Sequence, residues 1–378
     1  MKKGEKPVPR KHRKLRMVLW ITLCIVVLLA IVVAVFLNLP QFGRLPDGDR
    51  YVRVQRSPNW KNGGFVNPEP TEVMTGDRSF LSALWDFLFG EYPRLRPDSP
   101  VPSEKIDIRK MAQDVDWMLW LGHSSYLLHV DGRNILVDPV FGTASPVGFV
   151  NRPFEGSEPY TLDDLPDIDL LVITHDHWDH LDYNTVRALK NRVQTVVCPL
   201  GVGEHLEYWG YNPKKIMELD WYEQRETPEG IRIACAPTRH FSGRGLRRNQ
   251  TLWGAFVLET STGRIYMGGD GGYGKHLKET GRKYRGFDLA ILENGQYDRD
   301  WNLIHTMPEQ LAQTARDLRA KEVVTVHHGK YALARHPWDE PLLNERRAAM
   351  QDSVPLIVLE IGRPVSILTE RPKQGGKK

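Results

Sequence analysis

The segment Thr174–His180, THDHWDH, packs three histidines and two aspartates into seven residues directly behind the apolar run DLLVI. Such a run reads as a buried strand, so the cluster stands where a strand leaves the core. Carboxylates and imidazoles crowded there repel one another unless something binds them. The segment is therefore predicted to hold metal. In an extended stretch, residues two apart point the same way, so His175 and His177 can share one ion. A turn at Trp178–Asp179 lets Asp179 and His180 face a second ion. Four residues cannot fill two sites, and further ligands must come from other strand ends. His240 closes CAPTRH, Asp270 closes IYMGGD, and His327 and His328 close VVTVHH. Each of these histidines, taken alone, is more often a structural or exposed residue than a ligand. A carboxylate can offer one oxygen to each of two cations, and Asp270 is the predicted bridge.

Two divalent cations outweigh Asp179 and Asp270, so the centre stays positive and favours an anionic substrate or transition state. Paired metals polarise an oxygen and activate water near neutral pH. The expected class is hydrolysis of a phosphodiester, lactone or amide. Zinc suits these ligands best, with iron and manganese compatible in part. The chain carries neither the Rossmann nor the P-loop fingerprint, and the chemistry needs no organic cofactor. Residues 1–16 hold eight Lys/Arg and one Glu, or +7 of a formal net +4, so residues 17–378 carry −3. That balance argues against a nucleic-acid partner. Cys24, Cys198 and Cys235 form no disulfide framework and read as small buried hydrophobes, with a Cys198–Cys235 bridge left open.

Met17–Leu37 runs without a charge. As a helix it spans about 31 Å, matching a hydrocarbon core of roughly 30 Å. KHRKLR precedes it, and only Arg44 and Arg50 follow in the next 15 residues. The positive-inside bias predicts a cytoplasmic N-terminus and everything after Leu37 across the membrane, in the periplasm or outside if the cell is bacterial. A cleaved signal peptide is the competing reading; its apolar region is usually about 7–15 residues, and Ala30 and Ala34 have the wrong spacing for its cleavage site. The expected organisation is a basic tail over 1–16, an anchor over 17–37, a connecting arm over 38–110 and a hydrolase domain over 111–370. Within the arm, Ser79–Phe89 shows helical spacing and is read as a helix docking on the body, or else lying on lipid.

From Trp117 onward, WMLWLG, YLLHV and NILVDP read as a meander with a hairpin turn at 131–133. VQTVVCP, IRIACAPT, LWGAFVLET, RIYMGGD, FDLAILEN and EVVTVHHG are further strands. YNTVRALKNR reads as a helix, as does HTMPEQLAQTARDLRA, with Thr306 and Glu309 as its capping box. The alternation implies an α/β fold of packed sheet and helix layers, in one domain or two.

HDHWDH followed by a later His, Asp and His resembles the metallo-β-lactamase superfamily. WLGHSS at 120–125, ELDWYE at 218–223, GGDGGYG at 268–274, FDLAILENGQY at 287–297 and VHHGKYALA at 326–334, in that order around the His box, resemble more narrowly the N-acylphosphatidylethanolamine-hydrolysing phospholipase D family and its bacterial relatives. The resemblance spans roughly 117–341. It implies an αββα sandwich with two divalent ions, zinc foremost, at one edge. Carried over, one ion takes His175, His177 and His240, the other Asp179, His180 and His327, and Asp270 bridges them. His327 matches the family's last ligand better than His328. Asp179 is implied also to orient the attacking hydroxide, and His305 to lie beside the substrate. His123 and Asp138 are implied to brace the loops beneath, Asp138 through a ring N–H of a ligand. Arg244, Arg247 or Arg248 can meet a phosphate, or else form a solvated loop. The implied activity is phospholipase D-type hydrolysis of N-acylphosphatidylethanolamine-like lipids or another anionic ester. The alternative is a lactonase or esterase on a small soluble substrate.

Overall fold

The computed structural model describes residues 10–76, 82, 85 and 90–368. The helix expected over Ser79–Phe89 falls outside them, apart from Ser82 and Trp85. The chain divides into two compact units, Met1–Phe42 and Gly43–Lys378. The first contains α1 (Arg10–Leu37). Its segment Lys14–Leu37 is long and apolar enough to cross a membrane, a property that a membrane span shares with a signal sequence. Side chains such as Trp20, Leu28 and Val35 lie exposed along it.

The second unit opens with α2 (Gly48–Gln55) and the short pair β1 (Trp60–Lys61) and β2 (Gly64–Phe65). Then come β3 (Trp117–Trp120), β4 (Tyr126–Val130), β5 (Arg133–Val137), β6 (Ile168–Val172), α3 (Tyr183–Leu189), β7 (Val193–Pro199), α4 (Gly203–Tyr208) and β8 (Ile216–Leu219). The remainder comprises β9 (Gln224–Glu226), β10 (Arg232–Ala236), β11 (Ala255–Glu259), β12 (Arg264–Met267), α5 (Lys275–Lys283), β13 (Phe287–Glu293), α6 (Leu311–Leu318), β14 (Ala320–Val326), α7 (Glu340–Gln351) and β15 (Pro364–Ser366).

Among the described residues, one sheet runs β15-β3-β4-β5-β6-β7-β8 and the other β14-β13-β12-β11-β10-β9. Strand alternation makes the layers. Met118, Trp120, Leu128, Val172, Phe256, Ile265 and Ile291 meet between the sheets. Their neighbours Leu119, Leu127, Leu171 and Ile173 face outward under Val186, Leu189 and Leu206 of α3 and α4. Ala234, Val257 and Tyr266 face outward on the other sheet, under Leu277, Leu311 and Leu318 of α5 and α6. This is the αββα sandwich. Burial on both faces explains why the strands read as unbroken apolar runs. The β4–β5 hairpin turns on Asp131 and Gly132, both at positive φ (51° and 71°), as an Asp-Gly turn requires. Cys198 and Cys235 are free and lie in different cores, so the open bridge is not made.

β5 to β8 run parallel, as do β12 to β14, and two reversals bring β10 into line with β12. Their carboxyl ends therefore gather the loops that follow β5, β6, β10, β12, β13 and β14. Open α/β sheets place their ligand crevices at such ends.

The expected arm is strapped onto the body from Gly43 onward. Arg50 reaches Glu204 at 2.5 Å, Glu218 at 2.8 Å and Glu207 at 2.9 Å, while Val54 and Phe65 enter the core between the sheets. The capping box expected at Thr306 and Glu309 is not formed. A short turn, Pro308–Gln310, precedes α6, and the Met307 N–H donates to Gln310 Oε1 at 3.0 Å. Thr306 is drawn elsewhere, its N–H to Glu293 Oε1 at 2.6 Å and its hydroxyl to the Gly271 carbonyl at 2.9 Å.

Candidate metal centre

Past β6 the chain leaves the sheet at Thr174, and the histidine loop turns back on itself. The His180 and Leu181 N–H groups both donate to the His177 carbonyl, at 3.1 and 2.8 Å. This turn gathers side chains that a straight strand would spread over both faces. His175 Nε2 lies 2.9 Å from His177 Nδ1, and His240 Nε2 lies 3.2 Å from the same atom. Asp270 stands between this trio and a second group. Its Oδ2 is 3.9 Å from His175 Nε2 and 3.8 Å from His240 Nε2. Its Oδ1 is 3.1 Å from His180 Nε2 and 3.2 Å from His327 Nδ1. Asp179 Oδ2 completes the second group, 3.5 Å from His180 Nε2. One carboxylate thus offers an oxygen to each cluster.

The ring nitrogens behind the site set the tautomers. His240 Nδ1 donates to the Ile304 carbonyl at 2.8 Å, and His180 Nδ1 to Asp138 Oδ2 at 2.7 Å. The Thr174 hydroxyl donates to Asp138 Oδ2 at 2.5 Å, so it accepts from His175 Nδ1 at 3.1 Å. In the neutral ring each Nε2 therefore turns a lone pair inward. His180 Nε2 and Asp270 Oδ1 are buried without a hydrogen-bond partner among the described residues. Inward lone pairs set against carboxylate oxygens demand a cation. The residues fit two divalent ions.

The electrostatics agree. Burial holds His175 and His240 well below the ordinary imidazole range, in the neutral form that binds metal. Burial alone would lower His180, but Asp270, Asp179 and Asp138 outweigh it and raise it well above that range. Burial would raise Asp270, but the imidazoles around it, His180 foremost, hold it well below the usual carboxylate range. The centre attracts positive charge at the spot the ligand set encloses.

His123, Asp138 and His327 all adopt left-handed backbone, with φ of 52°, 40° and 71°. Such residues are tolerated where surrounding contacts over-determine them, and they gather at functional sites. The turn at His327 sends its ring to Asp270. His328 points away, with Nε2 3.4 Å from Glu345 Oε1 and 3.3 Å from Thr325 Oγ1. His123, expected as a brace, lies closer in than that: its Nε2 is 2.9 Å from Asp179 Oδ2.

His305 packs its ring over His327 and edge-on to His240. At 9% exposure it is more open than His175, His240 and His327, each at 1%, while His177 is half-buried. Glu293 was not foreseen. Its Oε2 meets His305 Nδ1 at 2.8 Å, while Oε1 accepts from the N–H groups of Thr306 and Gly271, the latter at 3.1 Å. It is an acidic residue closing an apolar strand, the same signal that singled out Asp270. Asp176 was also passed over. Its carboxylate accepts from Gly243 N at 2.7 Å and the Thr251 hydroxyl at 2.9 Å, and its Oδ2 lies 3.2 Å from His205 Nε2, joining the histidine loop to the loop after His240.

Of the three arginines considered for a phosphate, Arg244 is buried. It donates to the carbonyls of Asp176 (2.8 Å) and Leu181 (2.7 Å) beneath the Trp178 ring. It braces the histidine loop and is not part of a solvated one. Arg247 and Arg248 are exposed.

The profile described as a β-lactamase superfamily domain matches residues 133–328. The chain belongs to the metallo-β-lactamase superfamily. It is a metal-dependent hydrolase of that superfamily, distantly related to N-acylphosphatidylethanolamine-hydrolysing phospholipases D. An uncharacterised protein of Mycobacterium tuberculosis is 38% identical over 309 residues, which cover 80% of this chain and 83% of that one. The N-acyl-phosphatidylethanolamine-hydrolyzing phospholipase D 1 of Caenorhabditis elegans is 31% identical over 227 residues, 57% of this chain and 64% of that one. The solved structure of Igni18, a metallo hydrolase from Ignicoccus hospitalis, superposes with a TM-score of 0.52 at 21% identity, covering 67% of this chain and 98% of that one. The last likeness is one of fold alone.

Proposed function

We propose that this chain is a membrane-anchored hydrolase with two divalent ions, zinc by the character of its ligands, and that it cleaves phosphodiesters of N-acylphosphatidylethanolamine-like lipids in the manner of a phospholipase D. The carrying observation is Asp270, one oxygen toward His175 and His240 and the other toward His180 and His327. The identity to the nematode phospholipase D supports the lipid substrate.

When bound, such an ion pair supplies Lewis-acid polarisation and water activation. His175, His177 and His240 would hold one ion and Asp179, His180 and His327 the other, with one Asp270 oxygen available to each. His123 steadies the Asp179 carboxylate through Oδ2. Asp179 orients the attacking water. Glu293 occupies His305 Nδ1, which leaves Nε2 to contact the substrate oxygen at the mouth.

The test uses the full-length chain, loaded with Zn²⁺, against N-acylphosphatidylethanolamine in mixed micelles, with a chelated control and a simple lactone in parallel. Chelator-sensitive release of phosphatidic acid is expected. Opening of the lactone with no lipid cleavage would move the function to small soluble esters.

The domain organisation in this reading is a cytoplasmic tail over 1–16, an anchor over 17–37 and the hydrolase unit on the far side, in the periplasm or outside a bacterial cell. The basic block before Met17 supports that orientation. Protein recovered from membranes is expected to retain the residues before Phe36 by N-terminal sequencing. A mature chain starting beyond Phe36 would remove the anchor.

A further inference from the structure

Residues 63–76 of the arm cross the loops that carry His240, Asp270 and His305. Gly63 accepts from the Gln250 amide at 2.9 Å, and the Phe65 N–H donates to the Asn249 carbonyl at 2.8 Å. Thr71 Oγ1 and the Pro70 carbonyl accept from the Arg239 guanidinium, both at 2.8 Å. Glu69 Oε2 accepts from the Lys275 N–H at 3.2 Å, just beyond the Asp270 loop. The Thr75 N–H donates to the Asp300 carbonyl at 2.7 Å, ahead of His305.

One contact in this strap reaches a proposed ligand directly. Asn67 Oδ1 accepts from the His240 N–H at 2.9 Å, and Asn67 Nδ2 donates to the His240 carbonyl at 2.7 Å. β10 ends at Ala236, so the backbone of His240 lies beyond the sheet ladder. The Asn67 amide supplies both bonds that a neighbouring strand would have made. Together with the Ile304 carbonyl on Nδ1, it fixes His240 at three points, two of them from a segment 173 residues away.

We infer that Asn67 is a positioning residue for the metal ligand His240, which makes the arm a working part of the metal centre. The inference rests on the proposed ligand set. An amide bonded to both backbone groups of His240 sets where Nε2 stands relative to His175, His177 and Asp270. Groups that orient a ligand in this way typically control metal affinity by about 10–100-fold when removed.

The test titrates the full-length apo chain in detergent micelles with Zn²⁺ against a chromophoric chelator, and with Co²⁺ by visible absorption. Asn67→Ala is expected to weaken one of two ion sites by about 10–100-fold. It should alter the Co²⁺ spectrum while the thermal midpoint of the apo chain stays near that of the wild type. Asn67→Asp keeps the shape and the acceptor but sets a carboxylate oxygen against the His240 carbonyl. It should give the same one-site loss. Glu69→Ala removes a neighbouring arm contact that touches no ligand, and should leave both affinities unchanged. Wild-type affinities and spectrum in both Asn67 variants would overturn the inference, as would an equal loss in Glu69→Ala. His240→Ala separates the failures: if that variant keeps both ions, the ligand assignment itself falls.

Discussion

Asp270→Ala is expected to lower hydrolysis by about three orders of magnitude or more and to reduce the bound ions from two to one or none. Asp270 is buried, and its oxygens divide between two groups of imidazoles, within 3.9 Å on one side and 3.2 Å on the other. Asp179 pairs with His123 and His180 on the second side, and Glu293 is taken up by His305 and the Thr306 and Gly271 N–H groups, so neither stands in for Asp270 among the described residues. Alanine would remove the negative charge set between the two proposed cations and, with it, one ligand oxygen for each. Asp270→Asn keeps the volume but turns an amide N–H toward one cluster, so its loss should be of the same order. Turnover by the metal-loaded chain, with ion content measured on the same sample, gives the answer. Wild-type turnover in Asp270→Ala would remove the proposed mechanism.

Asp138→Ala is expected to destabilise the chain by about 3–5 kcal/mol and to weaken metal binding by about 10–100-fold. Asp138 is fully enclosed beneath the site. Its Oδ1 accepts from the Thr174 N–H at 2.8 Å, and its Oδ2 takes the Thr174 hydroxyl at 2.5 Å and His180 Nδ1 at 2.7 Å. Alanine strands three buried donors at the start of the histidine loop. Asp138→Asn discriminates between folding and tautomer control. It can still accept from the Thr174 N–H, but its amide opposes His180 Nδ1–H. The imidazole then shifts its proton to Nε2, where the ion should sit. Asp138→Asn is therefore expected to unfold at a urea midpoint between the wild type and the alanine variant, yet to lose metal as severely as the latter. Equal metal affinity in the wild type and Asp138→Asn would show that this carboxylate does not set the His180 tautomer.

Much of the scaffold was legible because its causes are local. Strands such as Leu170–Val172 alternate between two buried faces, so they read as apolar runs whichever face is considered. Asp131-Gly132 marks its own turn through backbone preference alone. The histidine loop was legible for a related reason: five ionisable side chains in seven residues have few physical explanations. Where local rules compete, the prediction failed. Thr306 has the spacing of a helix cap, but Glu293 and Gly271 claim its polar groups, and the helix starts with Met307 and Gln310 instead. Arg244 stands in a Gly-rich basic loop, a pattern that usually lies in solvent. The carbonyls of Asp176 and Leu181 offered a buried partner that its neighbours in sequence do not reveal.

The sequence by itself determined the α/β alternation, the apolar helix ahead of the body, and the strand ends at which ligands were to be sought. These follow from periodicity, from length and from residue chemistry within a few positions. The tertiary structure decided which atoms face one another. It turned His327 rather than His328 toward Asp270, divided the oxygens of Asp270 between two clusters, and set Glu293 behind His305. It also laid an arm that reads as a linker across the loops of the site, with Asn67 on His240. The reason is physical: contacts between residues far apart along the chain carry no periodic signature, and strand order and loop closure alone bring such partners within hydrogen-bonding reach.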